Sequence, residues 1–393
     1  MYIWHNYINV MKKHNKSCST KGSNGNPLHR LSTSTQMTLA IRICDETWVK
    51  SLLSSPDEEF DIHCGNYICQ AAEVGHVGIM VELLAAGADP NEQNFYSDKW
   101  PVHICADYGH FETLQVLASH GADINQPDHL QRTAMHFVAL RGHDHMVKWM
   151  VEHGALADGV ESDGYSPLHT ASCLDYELVC RHLVTLGGAD VNRKSKDGWS
   201  PLHMAVSFGN LHSAKVLLSF GAGPGEKTLE GETALHMACA KDYNDLVQIL
   251  LDYGALIECT NNQGETPLHN AIYYGHRNIV HKLIMAGANV NFLNLPATSC
   301  PLSLAGLRGD NNLLQLLLAA GCVIPRSTAS LLHHRRNISS CFRDDVSRFP
   351  TLKDLCMWKI RGLLAPDLQR KAPFLPLPKV LKKVLAFEHS KII

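Results

Sequence analysis

No two cysteines of this 393-residue chain are spaced C-x-x-C, although there are 13 of them. That absence removes zinc ribbons and thioredoxin-type redox sites. The set is odd in number and scattered, and Cys69, Cys105 and Cys239 sit inside helical apolar patterns. It reads as small buried hydrophobes in a reducing compartment. No run of about 18 apolar residues occurs, so no transmembrane helix is expected. The apolar stretch 1–10 precedes the nearby lysines and contains His5 and two asparagines, which is not the order of a secretory signal. Neither sign of charge dominates: 35 Lys and Arg face 38 Asp and Glu, for a net charge of -3. A general nucleic-acid binder would carry a basic stripe, so neither a nucleic acid nor a membrane is expected as partner. A phosphate-cradling glycine loop, a motif of paired carboxylates and a nucleophile–base signature are all missing. No catalytic residue, metal or cofactor is therefore assigned. What the chain does have is apolar content of 45%, enough to fold.

It also has a beat. Six histidines recur in one phrase: P-V-H-I-C-A at His103, A-M-H-F-V-A at His136, P-L-H-T-A-S at His169, P-L-H-M-A-V at His203, A-L-H-M-A-C at His236 and P-L-H-N-A-I at His269. Their spacings are 33, 33, 34, 33 and 33, and the doubled Gly187 and Gly188 explain the 34. A second phrase, Gly followed by Ala, keeps time at Gly87, Gly121, Gly154, Gly188, Gly221, Gly254 and Gly287. Each part has a physical job. Ser166, Ser200 and Thr266 stand before a proline and suit a helix start. Gly109, Gly142, Gly209 and Gly275 let the chain turn between two helices. Runs such as Val216, Leu217 and Leu218 give the second helix an apolar face. The Gly-Ala pair ends it, and an Asp/Asn-rich segment forms a finger to the next unit.

This pattern resembles the ankyrin repeat and implies an all-α solenoid over residues 60–325. About eight units are delimited at 62–95, 96–129, 130–162, 163–196, 197–229, 230–262, 263–296 and 297–325. Cys69 in the first and Ser303 in the last replace the histidine, as befits capping units with one neighbour. A degenerate capping unit is expected at 37–59, with helices near 39–44 and 48–53, and a mobile segment at 1–36. The histidines have a tempting metal reading. One per unit forms a ladder, however, whereas a metal needs several ligands around one point. His103, His136, His169, His203, His236 and His269 are thus structural ties between units. Finger residues Asn91, Asn125 and Asn291 resemble asparagines that are hydroxylated in other ankyrin proteins.

After a basic linker at 326–344 the pattern changes. In P-T-L-K-D-L-C-M-W-K-I-R-G, residues 350–362, Leu352, Cys356 and Ile360 fall at i, i+4 and i+8, and Leu355 extends that face. Further on, F-L-P-L-P-K-V-L-K-K-V-L-A-F spans 374–387, with Val380, Leu381, Val384 and Leu385 on a second face. Such short helices bury little alone and need a partner. This tail, residues 345–393, resembles a SOCS box of three helices, and the whole chain resembles the ankyrin-repeat and SOCS-box family. The resemblance implies that Leu352, Leu355, Cys356 and Ile360 bind elongin B and elongin C. It further implies that Leu375, Pro376, Leu377 and Pro378 select cullin-5 with its RING subunit. Met357 departs from the arginine common after the cysteine. The implied protein is a non-catalytic, cytoplasmic or nuclear adaptor that brings a substrate protein to a ubiquitin ligase. The alternative is an ankyrin scaffold or sequestering inhibitor that recruits no ligase. Substrate contacts are expected from aromatics by the helix starts, Trp100, Tyr165 and Trp199, and near the inter-helix turns, Tyr108, Phe208, Tyr273 and Tyr274.

Overall fold

A computed structural model describes residues 32–54, 62, 66–94, 97–292 and 300–322. Leu352, Leu355, Cys356, Ile360 and the Leu375–Pro376–Leu377–Pro378 stretch lie outside the described residues. Helices come in successive pairs. They are α1 Thr33–Arg42 with α2 Glu46–Ser54, α3 Tyr67–Val74 with α4 Val77–Ala85, and α5 Pro101–Tyr108 with α6 Phe111–Ser119. Next are α7 Ala134–Arg141 with α8 Asp144–Glu152, α9 Pro167–Cys173 with α10 Glu177–Thr185, and α11 Pro201–Phe208 with α12 Leu211–Ser219. The series closes with α13 Ala234–Ala240 and α14 Asn244–Asp252, α15 Pro267–Tyr274 and α16 Arg277–Met285, and α17 Pro301–Arg308 and α18 Asn311–Ala319. The first pair begins at Thr33, upstream of residue 37. Residues 33–36, assigned to a mobile segment from sequence, are helical because the Ser32 hydroxyl caps the Thr35 N–H and Met37 is buried. None of the helices among the described residues is long and apolar enough to cross a membrane.

First helices pack side by side in one row, α1 through α17, and second helices lie behind them in another. A first helix touches two neighbours and its own partner, so it is buried nearly all round: seven consecutive residues of α11, Pro201 to Ser207, are buried. That explains the small residues in the phrase, since Ala205, Ala238 and Ala271 let the row close. A second helix touches neighbours on one side and needs a single stripe. Met146, Val147 and Met150 in α8, and Leu246, Val247 and Leu250 in α14, supply it at i, i+1 and i+4. One hydrophobic core runs unbroken from Met37 to Cys322.

Polar bonds set the register between units. In α7, α9, α11, α13 and α15 the N–H of the capping Ser or Thr donates to Nδ1 of the histidine three residues on, at 3.0–3.2 Å. The capping hydroxyl lies 2.8–3.1 Å from the same nitrogen. Nδ1 is therefore an acceptor, and the ring proton sits on Nε2. That Nε2–H points at a carbonyl, which can only accept: Gln126 for His103, Tyr165 for His136, Trp199 for His169, Glu226 for His203 and Glu265 for His236. Each clamp thus ties one helix start to the finger that follows. Where histidine is replaced the bond survives: the Cys69 thiol donates to the Glu92 carbonyl at 3.4 Å. Finger asparagines make a second ladder. The Asn125 amide donates to Gly154 and accepts from Leu156, and Asn91 and Asn192 do the same one unit on.

Two departures from the repeat have local causes. Asp175 and Asp242 take the left-handed turn that glycine takes elsewhere, at φ 58° and 60°. The Asp175 carboxylate accepts from the Ser213 N–H, capping the next unit's second helix, α12. The inserted residue behind the 34-residue spacing must be glycine: a Cβ on Gly187 would sit 2.3 Å from Ala157 Cβ and 2.8 Å from the Leu183 carbonyl. Gly187→Ala should therefore cost roughly 1–3 kcal/mol by overpacking, read as a lower midpoint in urea unfolding at unchanged m-value.

Burial drives the clamp histidines His103, His136, His169, His203 and His236 down to about 4. A second ring proton would also face a backbone N–H. The unfolded chain binds these protons at its ordinary histidine pKa near 6.5, so stability is full above that pH. It is lost as pH falls from about 6.5 toward 4, by about 2 kcal/mol per histidine at pH 5. The melting temperature should drop steadily between pH 7 and 5. His203→Ala should cost about 2–4 kcal/mol at pH 7.5 and make that acid slope shallower, checked by circular-dichroism melts at each pH.

Candidate binding face

The fingers present one residue per unit just before the capping Ser or Thr. Its backbone is fixed by the finger itself, and in three units by the histidine clamp as well. The carbonyls of Lys99, Arg132, Tyr165, Trp199, Glu232 and Glu265 close their own fingers by accepting from Asn94, Asp128, Glu161, Ser195, Thr228 and Asn261. Three of them, on Tyr165, Trp199 and Glu265, also take the histidine clamp of the preceding unit. Fingers pair with each other too, through Ser162 N–H to Leu130, Lys196 N–H to Asp163, Leu229 N–H to Asp197 and Asn262 N–H to Glu230. A rigid backbone rail thus carries a row of variable side chains. Read along the rail, the row is basic, then aromatic, then acidic.

At the basic end Asp107 holds two cations, Lys99 Nζ at 2.8 Å and Arg141 Nε at 2.6 Å. Burial alone would push the Asp107 carboxyl up, but Arg141 and Lys99 hold it below the usual carboxylate range. Arg132 pairs with Asp128 at 2.7 Å. The Phe137 ring lies under both cations, 4.8 Å from Lys99 Nζ and 4.9 Å from the Arg132 guanidinium carbon. Nearby, burial pushes the Glu161 carboxyl up to about 7 against the opposing charge of Arg132.

The middle is apolar. Tyr165, Cys173 and Met204 form a small cluster separate from the main core, with Trp199 and Phe208 packed against it and partly open to solvent. At the acidic end, burial pushes the Glu232 carboxyl up, and Glu230 and Glu265 add to that while amides of Asn270 and Asn261 oppose it.

The aromatic residues singled out from sequence fall into three places. Tyr165, Trp199 and Phe208 come together in the central cluster. Trp100 stands apart: its indole Nε1 donates to the Pro127 carbonyl at 3.0 Å, although its ring, like that of Trp199, also packs on the main core. Tyr108, Tyr273 and Tyr274 lie in the last turns of first helices, next to the inter-helix turns, and are 56%, 60% and 49% exposed. Tyr108 stacks on His110 and Tyr274 on His276. Sequence reading passed over Lys99, Arg132, Arg141, Asp107, Met204, Glu232 and Glu265. The signal was available, because each occupies a fixed place in the repeat: before the cap, just after the histidine, or four to five residues after it. Among the described residues no group of three or more His, Cys, Asp and Glu could hold a metal. The clamp histidines have Nδ1 engaged by the capping residue.

A family model described as ankyrin repeats matches residues 37–128, 103–195, 175–260 and 202–294. Curated relatives are similar over part of the chain. Probable E3 ubiquitin-protein ligase XBOS32 of Oryza sativa subsp. japonica is 31% identical over 162 residues, 39% of this chain and 30% of that protein. E3 ubiquitin-protein ligase XBAT33 of Arabidopsis thaliana is 30% identical over 153 residues, 39% of this chain and 28% of that protein. Neurogenic locus notch homolog protein 1 of Xenopus tropicalis is 27% identical over 151 residues, 38% of this chain and 6% of that protein. The chain thus spans less than a third of the length of these relatives.

Proposed function

The chain belongs to the ankyrin-repeat family, and from that premise we propose that it is the substrate-recognition adaptor of an elongin B/C–cullin-5–RING ubiquitin ligase. The observation that carries this reading is a conjunction in the sequence. An L-x-x-L-C segment at Leu352, Leu355 and Cys356, with Ile360 four residues on, is followed by Leu375–Pro376–Leu377–Pro378, and both stand downstream of a repeat array. Two relatives named as E3 ubiquitin-protein ligases are similar to 39% of this chain, which supports the pathway.

In this reading the repeats hold a target protein on the finger face, and the tail docks on elongin C. Cullin-5 and its RING subunit then bring a charged ubiquitin-conjugating enzyme beside the target's lysines. Transfer gains by effective concentration: two tethered partners meet at roughly millimolar local concentration, so a slow bimolecular step becomes effectively intramolecular. The adaptor itself makes and breaks no bond, and the tagged target passes to degradation.

A second reading, a scaffold or sequestering inhibitor, is favoured by one feature: the finger residues named above all lie within residues 99–265, upstream of the tail.

Co-expression with elongin B and elongin C separates the two. The adaptor should co-purify as a stoichiometric ternary complex on gel filtration. Leu352→Asp with Cys356→Asp should abolish that complex while leaving the thermal melt of the repeats in place. A wild-type chain that elutes alone would leave the scaffold reading.

A further inference from the structure

Between the second helices α6 and α8 the stack leaves a cleft of about 460 Å³. Its cause is a pair of departures from the repeat. Ala118 stands where Leu84, Val151, Val184, Leu218, Leu251 and Ile284 stand in other units, so a branched side chain present there is absent here. On α8, Trp149 takes the place that Val116, His182, Val216 and Ile249 hold in their helices, and both Ala118 and Trp149 line the cleft. The indole is held in place, edge-on to Phe111 at 5.9 Å and stacked on His153 at 3.9 Å. We propose that this cleft receives the guanidinium side chain of an arginine from a partner protein, at a site distinct from the row of residues before the caps.

Acceptors gather around the cleft, and one of them is charged. The Asp123 N–H donates to Asn91 Oδ1 at 2.9 Å, and Asp123 Oδ1 accepts from the Asn125 N–H at 2.8 Å. Its other oxygen, Oδ2, has no hydrogen-bond or ion-pair partner among the described residues. Asn125 is tied in turn to Gly154 and Leu156, so the base of the cleft is fixed before anything binds. His153 Nδ1 lies 2.8 Å from the Trp149 carbonyl, which can only accept. That nitrogen therefore carries the proton, and Nε2 of the neutral ring is an acceptor. Gln115 adds a side-chain amide with no hydrogen-bond partner among the described residues. Neither Lys nor Arg is among the described residues that line the cleft.

Charge complementarity selects a cation, and the spread of the acceptors selects guanidinium over ammonium. Gln115 lies on α6, Asp123 at the start of the finger and His153 at the end of α8, with the Trp149 ring as an aromatic wall. An ammonium is a compact, strongly hydrated point charge. A guanidinium is planar, gives up water more readily, rests on aromatic rings and donates in several directions from one plane. The volume falls within the roughly 300–1,000 Å³ of ligand pockets. Asp123 and His153 are exposed, so the cleft opens to solvent and the chain that carries the arginine stays outside it.

The test is a ¹H–¹⁵N titration of the full chain labelled with ¹⁵N-tryptophan, whose six indoles give separate signals. Trp149→Phe identifies the signal of Trp149. The probes are the peptide Gly-Gly-Arg-Gly-Gly and the same peptide with lysine or citrulline at its centre. The arginine peptide should shift the Trp149 signal saturably, and the other two should bind roughly fivefold more weakly or worse. Ala118→Leu restores the aliphatic residue of the other units and should abolish the shift without lowering the melting temperature. Asp123→Asn should weaken binding roughly fivefold or more. It keeps the turn, since Asn289 Oδ1 accepts from the Asn291 N–H in the same way in another unit. The two variants act by different means, so one that fails to fold leaves the other decisive. No saturable shift, equal binding of the citrulline peptide, or full binding by folded Ala118→Leu or Asp123→Asn protein would overturn the proposal. A response to N-acetyl-arginine amide with none to the pentapeptide would mean a free small molecule, and would overturn the partner protein as occupant.

Discussion

The neutral imidazole clamp is the constraint on which the rest of the molecule depends. A solenoid unit has no core of its own and gains one by facing its neighbours. Apolar faces alone do not fix how far one unit slides along the next, because burial is not directional. The clamp is directional. The capping N–H of Ser200 makes Nδ1 of His203 an acceptor, so Nε2 must donate, and the Glu226 carbonyl of the finger is where it points. Repeated unit by unit, this fixes the start of each first helix and the path of the finger between units. The Cys69 thiol makes the same contact in an outer unit, which indicates that the bond matters more than the ring.

Two sets of positions are thereby separated within each unit. His, Ser or Thr, Gly, Ala and the second-helix stripe serve the stack and are spoken for. The residue before the cap and those facing the same way on the first helix are held rigidly by backbone bonds but have their side chains free to vary. Lys99, Arg132, Tyr165, Trp199, Glu232 and Glu265 illustrate this: six positions with five side-chain types on one geometry. Recognition can change along that row without disturbing the fold. Preorganisation follows as well, since a partner does not have to order the rail it binds.

The repeat was legible because its cause is local and periodic. Spacing, turn glycines, caps and the second-helix stripe can all be read from residue types, and even the doubled Gly187 and Gly188 pointed to the one irregular spacing. What could not be read was which aromatic residues serve the stack and which face out. Trp100 stands at a helix cap and Trp199 one place before one, and the first finds a carbonyl for its indole nitrogen. That depends on where Pro127 lies in the neighbouring finger, a contact with no signature in the local sequence. The Asp107–Lys99–Arg141 network was missed for a similar reason, since its members are charged and charged residues are usually solvated. Residues 33–36 joined a helix because Ser32 is a good cap inside an otherwise polar stretch. The resemblance of the tail to a SOCS box rests on the Leu352–Cys356 face and the Leu375–Pro378 stretch, outside the described residues.

The most direct measurement of the clamp is long-range ¹H–¹⁵N correlation of histidine-labelled protein between pH 7.5 and 5.5. The account predicts resonances for the buried set that keep the neutral Nε2–H pattern across that range. Protonation of His103, His136, His169, His203 or His236 within that range, or the Nδ1–H tautomer in any of them, would contradict it.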